Sequence, residues 1–115
     1  MDEIVIINNK TSRKELKEIA EQRFGDMVKG VVDVEKRIMA LGGELHSDEE
    51  ALLLEKGSKQ ENLWGINLYP DLAMPDFLEY DSMINIRPSQ NNRSRDVEDE
   101  GLRELIKVIV EELIE

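Results

Sequence analysis

The chain contains no cysteine, a single histidine, three prolines and few aromatic residues (4%), and its 26 acids outnumber its 15 bases. Without cysteine there is neither a disulfide framework nor thiol chemistry. No apolar run approaches membrane-spanning length, and the N-terminus MDEIVIINN carries acids where a signal peptide needs basic residues. Both absences predict a cytoplasmic protein with no membrane partner. The motifs of the commonest active sites are missing too. There is no HExxH, no EF-hand loop, no phosphate-binding or dinucleotide glycine fingerprint and no GxSxG elbow.

What is present suits one soluble domain. A chain of 115 residues supports one modest core, and 40% apolar with 36% charged residues is a globular balance. The net charge of -11 disfavours nucleic acid, and three arginines without an aromatic platform make a thin footprint for it. The charge is uneven. Arginines 87, 93 and 95 stand in a stretch free of acids, while acids crowd residues 44–55 and the chain after Asp96.

The pattern along the chain predicts an α+β domain with a mainly antiparallel sheet of about five strands and two or three helices. Glu3 to Ile7 is a short β-rich run. Ser12 and Glu15 have capping-box spacing ahead of a helix with Leu16, Ile19 and Ala20 on one face, and Gly25 is its stop. Residues 27–41 admit two readings: one long helix striped by Phe24, Val28, Val31, Ile38 and Leu41, or a hairpin of Val28–Val34 and Ile38–Leu45. The valines and the isolated Gly30 favour the hairpin. Ser47 or Asp48 then caps a short helix over Glu49–Glu55 that ends near Gly57. The last helix is the plainest element. Leu102, Leu105, Ile106, Ile109, Val110 and Leu113 form a regular stripe behind a cap at Asp96 or Asp99, with Val97 as a staple.

Between these lies the stretch around which the rest is arranged, from Leu63 to Arg95. Residues 64–69 and 80–87 both alternate, and matching their apolar sides as a hairpin puts Trp64 opposite Ile86, Ile66 opposite Ile84, and Gly65 beside Asn85. Trp64, Ile66, Ile84 and Ile86 are then expected in one buried layer under helices that cover one side of the sheet. Asn67, Asn85 and Arg87 emerge on the second face. Pro88 ends the ladder, and a donor-rich tail follows.

Two candidate sites come from this pattern. Arg87, Arg93 and Arg95, with the amides of Asn67, Asn85, Gln90 and Asn92, have the forks and donors that hold a phosphate or carboxylate, so a small anionic ligand is one expectation. The plainer use of these arginines is to neutralise the protein's own carboxylates. Glu44, His46 and Asp48 alternate, so on an extended segment their side chains converge on one point. Such a set can hold a divalent metal or serve acid–base chemistry. The two resulting function classes are a self-associating binding or regulatory domain that recognises a small anion, and a small metal-dependent or acid–base hydrolase. Convergence of the His46 and Arg87 regions in one cleft favours the hydrolase; dispersal favours the binding domain. Homo-oligomerisation is expected from the long final stripe and the exposed strand edges of a small sheet.

The segments GDMVKGVVDVEKRIMALGGELH at 25–46, LLLEKGSKQENLWGINLYP at 52–70 and DSMINIRPSQNNRSR at 81–95 together resemble a small, single-domain prokaryotic family of uncharacterised function. The resemblance covers nearly the whole chain. It implies a stand-alone domain and assigns no activity, cofactor or catalytic residue. The third segment departs from the family pattern at Asn91–Asn92, where a glycine precedes the second asparagine. If that glycine serves a left-handed turn, Asn91 is the residue best able to replace it.

Overall fold

The computed structural model describes residues 4–115. Strands β1 (Val5–Ile7), β2 (Val28–Asp33), β3 (Ile38–Leu41), β4 (Leu63–Leu68) and β5 (Leu78–Glu79) form one antiparallel sheet in the order β1-β3-β2-β4-β5. Helices α1 (Arg13–Glu21), α2 (His46–Glu55) and α3 (Glu100–Leu113) complete an α+β fold. Glu3, at the start of the expected first strand, lies outside the described residues. Among the described residues no helix is long and apolar enough to cross a membrane.

Local chemistry accounts for the elements. Ser12 and Glu15 form the reciprocal capping box of α1, whose Leu16 and Ala20 are buried, and Gly25 (φ 91°) returns its N–H to the Ala20 carbonyl at 2.7 Å. The hairpin reading of 27–41 holds, although its second strand stops at Leu41 instead of running to Leu45, which caps α2. The Asp33 carboxylate accepts from the Glu35 and Lys36 amides, both at 2.9 Å, and so closes the β2–β3 turn. Asp99 caps α3 by accepting from Leu102 N at 2.8 Å. Asn91 adopts φ 60° and ψ 26°, a left-handed conformation that asparagine tolerates better than most residues other than glycine.

Alternation sorts the sheet's side chains onto two covered faces. Val28, Val32, Met39, Leu41, Trp64, Ile66 and Leu68 meet α1 and α3 in the larger core. Val31, Ala40 and Leu63 meet Leu53 of α2 on the other. The expectation of helices on one side is therefore corrected. α2 needs only a narrow apolar strip, and β2 and β4 are buried throughout apart from the half-buried Lys29.

The second hairpin departs furthest from its expected form. β5 is only Leu78–Glu79, and Met83–Asn85 is a 3-10 turn whose first amides bend around Ser82, with Ser82 Oγ accepting from Ile84 N at 3.3 Å. The turn breaks the alternation. Ile84 packs on the α2 face rather than beside Trp64 and Ile66, and Ile86 is exposed. One neighbour from the expected register survives in another form. Asn85 lies beside Gly65, and its carboxamide accepts from Gly65 N at 2.8 Å and donates to Gly65 O at 3.0 Å, as a partner strand residue does. Gly65 has to be glycine here, since a Cβ would sit 2.5 Å from Ser82 Cβ. The beginning of α2 is also displaced. The helix starts at His46, with Leu45 at the cap position offering no side-chain bond, so Ser47 and Asp48 lie inside the first turn instead of capping it.

Candidate functional site

The arginine-rich tail is occupied largely with the protein's own acceptors. The Arg87 guanidinium stacks over Trp64 at 4.2 Å and makes four hydrogen bonds: to Ile84 O (3.0 Å), Gln60 O (2.6 Å), Gln90 Oε1 (3.0 Å) and Leu63 O. Four of its five N–H groups are used in this way. Asn92 Nδ2 donates to Asn85 O and Asp96 O, both at 2.7 Å, while its Oδ1 accepts from Glu98 N at 2.9 Å. Gln90 donates to Glu61 O at 3.1 Å. Arg95 pairs with Asp81 at 2.6 Å, and the Arg93 side chain is exposed. Arg87 therefore does not share an anion site with Arg93 and Arg95. Its fork holds the 87–92 turn onto β4.

Glu44, His46 and Asp48 are not brought together either. The premise of an extended segment fails once the helix begins at His46, because residues two apart on a helix project in divergent directions. Glu44 and Asp48 are exposed, whereas His46 is buried. Among the described residues no three His, Asp or Glu side chains converge as a metal set.

His46 nonetheless opens onto a cavity of about 530 Å³, bounded by the start of α2, the ends of β2 and β4, and the segment from Glu79 to Ile84. Asn67 and Arg95 line it as well, so one member of the metal set and two of the anion set meet here, and Arg87 stays outside. The cross-strand register explains the floor. Lys29 pairs with Asn67 and Asn67 with Glu79, so ammonium, carboxamide and carboxylate stand in one row on one face of the sheet.

Each polar group of this row has a defined state. Asn67 Nδ2 donates to Glu79 Oε1 at 2.9 Å and to Asp81 O at 3.1 Å. Both partners are acceptors, which fixes the amide orientation and turns Oδ1 the other way. That oxygen is buried, in a side chain only 6% exposed, and among the described residues no donor meets it in hydrogen-bond geometry, although the His46 ring lies close enough for its protonated form to bond Asn67. Tyr69 also donates to Glu79 Oε1, at 2.9 Å, and burial together with that carboxylate pushes its phenol up to about 12. Among the described residues Lys29 has no ion-pair partner; its ammonium stands 5.4 Å from the Phe24 ring centre. The His46 pKa lies below 6.5 because burial disfavours the imidazolium, although the bond to Ile66 O opposes the shift. Near neutral pH the ring is uncharged, with Nε2–H donating to Ile66 O at 2.8 Å.

Beneath the cavity Glu49 sets the loop that carries its rim. Its Oε2 accepts from Gly43 N at 2.9 Å, and a Cβ on Gly43 would meet Glu49 Cγ at 2.9 Å. Burial pushes this carboxyl up to about 9, so it is protonated near neutrality. Among the described residues Oε1 has no hydrogen-bond partner.

A second cavity, of about 580 Å³, lies between Met74–Pro75 and α3. It lacks comparable unsatisfied chemistry. Arg103, its central cation, already donates to Asp96 at 2.7 Å and stacks over Tyr80 at 4.3 Å.

Sequence reasoning missed Lys29, Tyr69, Glu79 and Asp81 as cavity residues. The signal for Lys29 was a single charge inside the otherwise apolar run VKGVV, with the parity of Val31. Glu79 could not be placed without the two-residue β5 that aligns it with Asn67. A search of curated proteins and one of solved structures yield no match. The model of the family described as "Protein of unknown function (DUF5674)" matches residues 5–113, nearly the whole of this α+β domain, and the chain belongs to that family.

Proposed function

We propose that this protein is a small-ligand-binding domain whose site is the cavity between α2, β4 and the Glu79–Ile84 segment. One observation carries the reading: the cavity of about 530 Å³ gathers Lys29, His46, Asn67, Tyr69 and Glu79, and among the described residues Lys29 has no ion-pair partner there. The ammonium of Lys29 acts on Glu49, which burial keeps protonated, and has no ion-pair partner among the described residues, so it favours a ligand that carries an anionic group. Separation of Arg87 from His46 supports the binding reading over the hydrolase, which relies on their convergence. The test is a two-dimensional amide NMR titration with inorganic phosphate, nucleotides, dicarboxylates and amino acids. A binder is expected to shift Lys29, His46, Ser47, Asn67 and Ser82 first. Silence from every compound at millimolar concentration would remove the proposal.

We further propose that the domain self-associates through the outer edge of β1. That edge pairs with no strand among the described residues, and Val5–Ile7 place neither charge nor proline on it.

A further inference from the structure

We infer that the cavity takes up its anion together with a proton, which His46 accepts, so that binding tightens as pH falls. This rests on the binding reading above and adds the regulation of that same site.

The bonds already made decide where the proton goes. A backbone carbonyl can only accept, so the 2.8 Å bond to Ile66 O fixes the ring hydrogen on Nε2 and leaves Nδ1 with its lone pair. Asn67 is equally fixed. Its Nδ2 donates to Glu79 at 2.9 Å and to Asp81 O at 3.1 Å, and its Oδ1 is buried without a donor beside the His46 ring. A neutral imidazole has no second N–H to offer that oxygen. Protonation supplies one, so the imidazolium has two acceptors, Ile66 O and Asn67 Oδ1, where the neutral ring has one. The buried oxygen thus serves the charged ring rather than a ligand atom.

The charges around the ring show what holds the proton off in the free protein and what brings it on. Burial opposes the imidazolium most, Lys29 on β2 opposes it as a like charge, and Asp81 beyond β5 favours it. Asp81 is shared with Arg95 at 2.6 Å. Glu79 on β5 is engaged by Asn67 and by Tyr69 of β4, whose phenol stays protonated. On α2 itself Glu49 is protonated near neutrality, and Asp48 is exposed, as is Glu44 ahead of the helix. An anion drawn in by Lys29 offsets the repulsion between that ammonium and the ring, and it attracts the imidazolium directly. Both effects favour the proton on His46. The coupling is reciprocal, so the protonated ring holds the anion more tightly by the same factor.

The chain has one histidine, so its ring C–H signals report this titration alone. They are followed by NMR from pH 8 to pH 5, with and without millimolar sulfate, which does not titrate in that range, or the tightest anion of the first panel. The anion is expected to raise the His46 midpoint by about one pH unit, which corresponds to about tenfold in affinity. Calorimetry is expected to find the anion bound about fivefold more tightly at pH 5.5 than at pH 7.5. His46→Gln keeps an amide N–H for Ile66 O and is expected to lose most of that ratio. Asn67→Leu is expected to lower the midpoint of the ligand-free protein, because the imidazolium loses one of its two acceptors. An anion that binds the cavity yet leaves the His46 midpoint unmoved overturns the proton link, and the binding domain stands. An Asn67→Leu midpoint equal to that of wild type overturns the role given to Asn67. If neither sulfate nor any compound of the first panel binds at either pH, both readings fall. The wild-type titration needs no variant, so an unfolded mutant cannot obscure the result.

Discussion

At the scale of single residues, side chains perform work that backbone usually does. The β4 edge is paired by β5 at Asn67 and Leu68, then by the Asn85 carboxamide at Gly65, then by the Arg87 guanidinium at Leu63 O. These positions alternate along β4, as the outward-facing backbone groups of one strand edge do. Arg87 is thus a structural cation, and its loss should be felt without any ligand. We expect Arg87→Ala to lower stability by about 3 kcal/mol, because several buried carbonyls lose a charged donor and Trp64 loses its stacking partner. Arg87→Lys should recover less than half, since an ammonium cannot reproduce the fork that reaches Leu63 O and Gln60 O together. Urea denaturation of the ligand-free proteins measures both, and an unchanged Arg87→Ala midpoint would return this arginine to the pool of available binding groups. Asn85→Asp tests the neighbouring bond pair. The carboxylate still accepts from Gly65 N but faces Gly65 O and Arg95 O without a donor. A loss of about 2 kcal/mol near neutral pH is expected from the same denaturation curves.

At the scale of elements, α2 carries two buried titratable groups with opposite pH dependence. Glu49 has its folded pKa raised from 4.5 to about 9 by burial, so the folded state keeps a proton that the unfolded chain has released. Its contribution is whole below pH 4.5 and declines as pH rises towards 9. His46 has its folded pKa lowered from 6.5, so its contribution is present above that value and is lost as pH falls through the folded pKa. Glu49→Gln keeps the shape of the protonated acid and removes its titration. The variant's melting temperature is expected to gain on wild type progressively from pH 5 to pH 9, by several degrees at the alkaline end. Parallel curves across that range would show that Glu49 does not retain its proton. The same helix shows where sequence was legible and where it was not. α1, α3 and the β2–β3 hairpin follow from capping boxes, apolar stripes and turn residues, all of which are local. The start of α2 was misplaced because Leu45 caps it without a side-chain bond, so no capping residue marks the position. Residues 80–87 alternate like a strand, yet the Ser82 turn and the Asn85 carboxamide replace strand pairing, and that choice depends on β4 across a gap of 20 positions. The candidate site was half legible for the same reason. Asn67, His46 and Arg95 drew notice as polar residues in suggestive places, whereas Lys29 and Glu79 gain their meaning only from register.

At the scale of the whole molecule, the two edges of the sheet are treated differently. The β5 side is closed by short pairing, side-chain donors and the 69–77 loop, whereas β1 ends the sheet with Val5, Ile6 and Ile7 and no charge. Two copies related by a two-fold axis can pair these edges antiparallel and continue the sheet, the self-complementary arrangement that such symmetry provides. The net charge opposes that contact, because each chain brings -11 to the encounter. Backbone pairing is short-ranged and little affected by salt, but the repulsion is screened over about 8 Å at physiological ionic strength and over about three times that distance in dilute buffer. Association is therefore expected to strengthen as salt is added, the reverse of an interface held by ion pairs. Light scattering at micromolar concentration should give twice the 13.3 kDa chain mass in 0.3 M sodium chloride and approach 13.3 kDa in 0.02 M. Val5→Lys should stay near 13.3 kDa at both salt concentrations, since two ammonium groups then meet at the paired edges. Val5 is 42% exposed, so this change should leave the melting temperature of the monomer within a few degrees of wild type. A wild-type mass of 13.3 kDa at every salt concentration would rule out the β1 interface, and a dimer that weakens as salt is added would place the contact on charged surface instead.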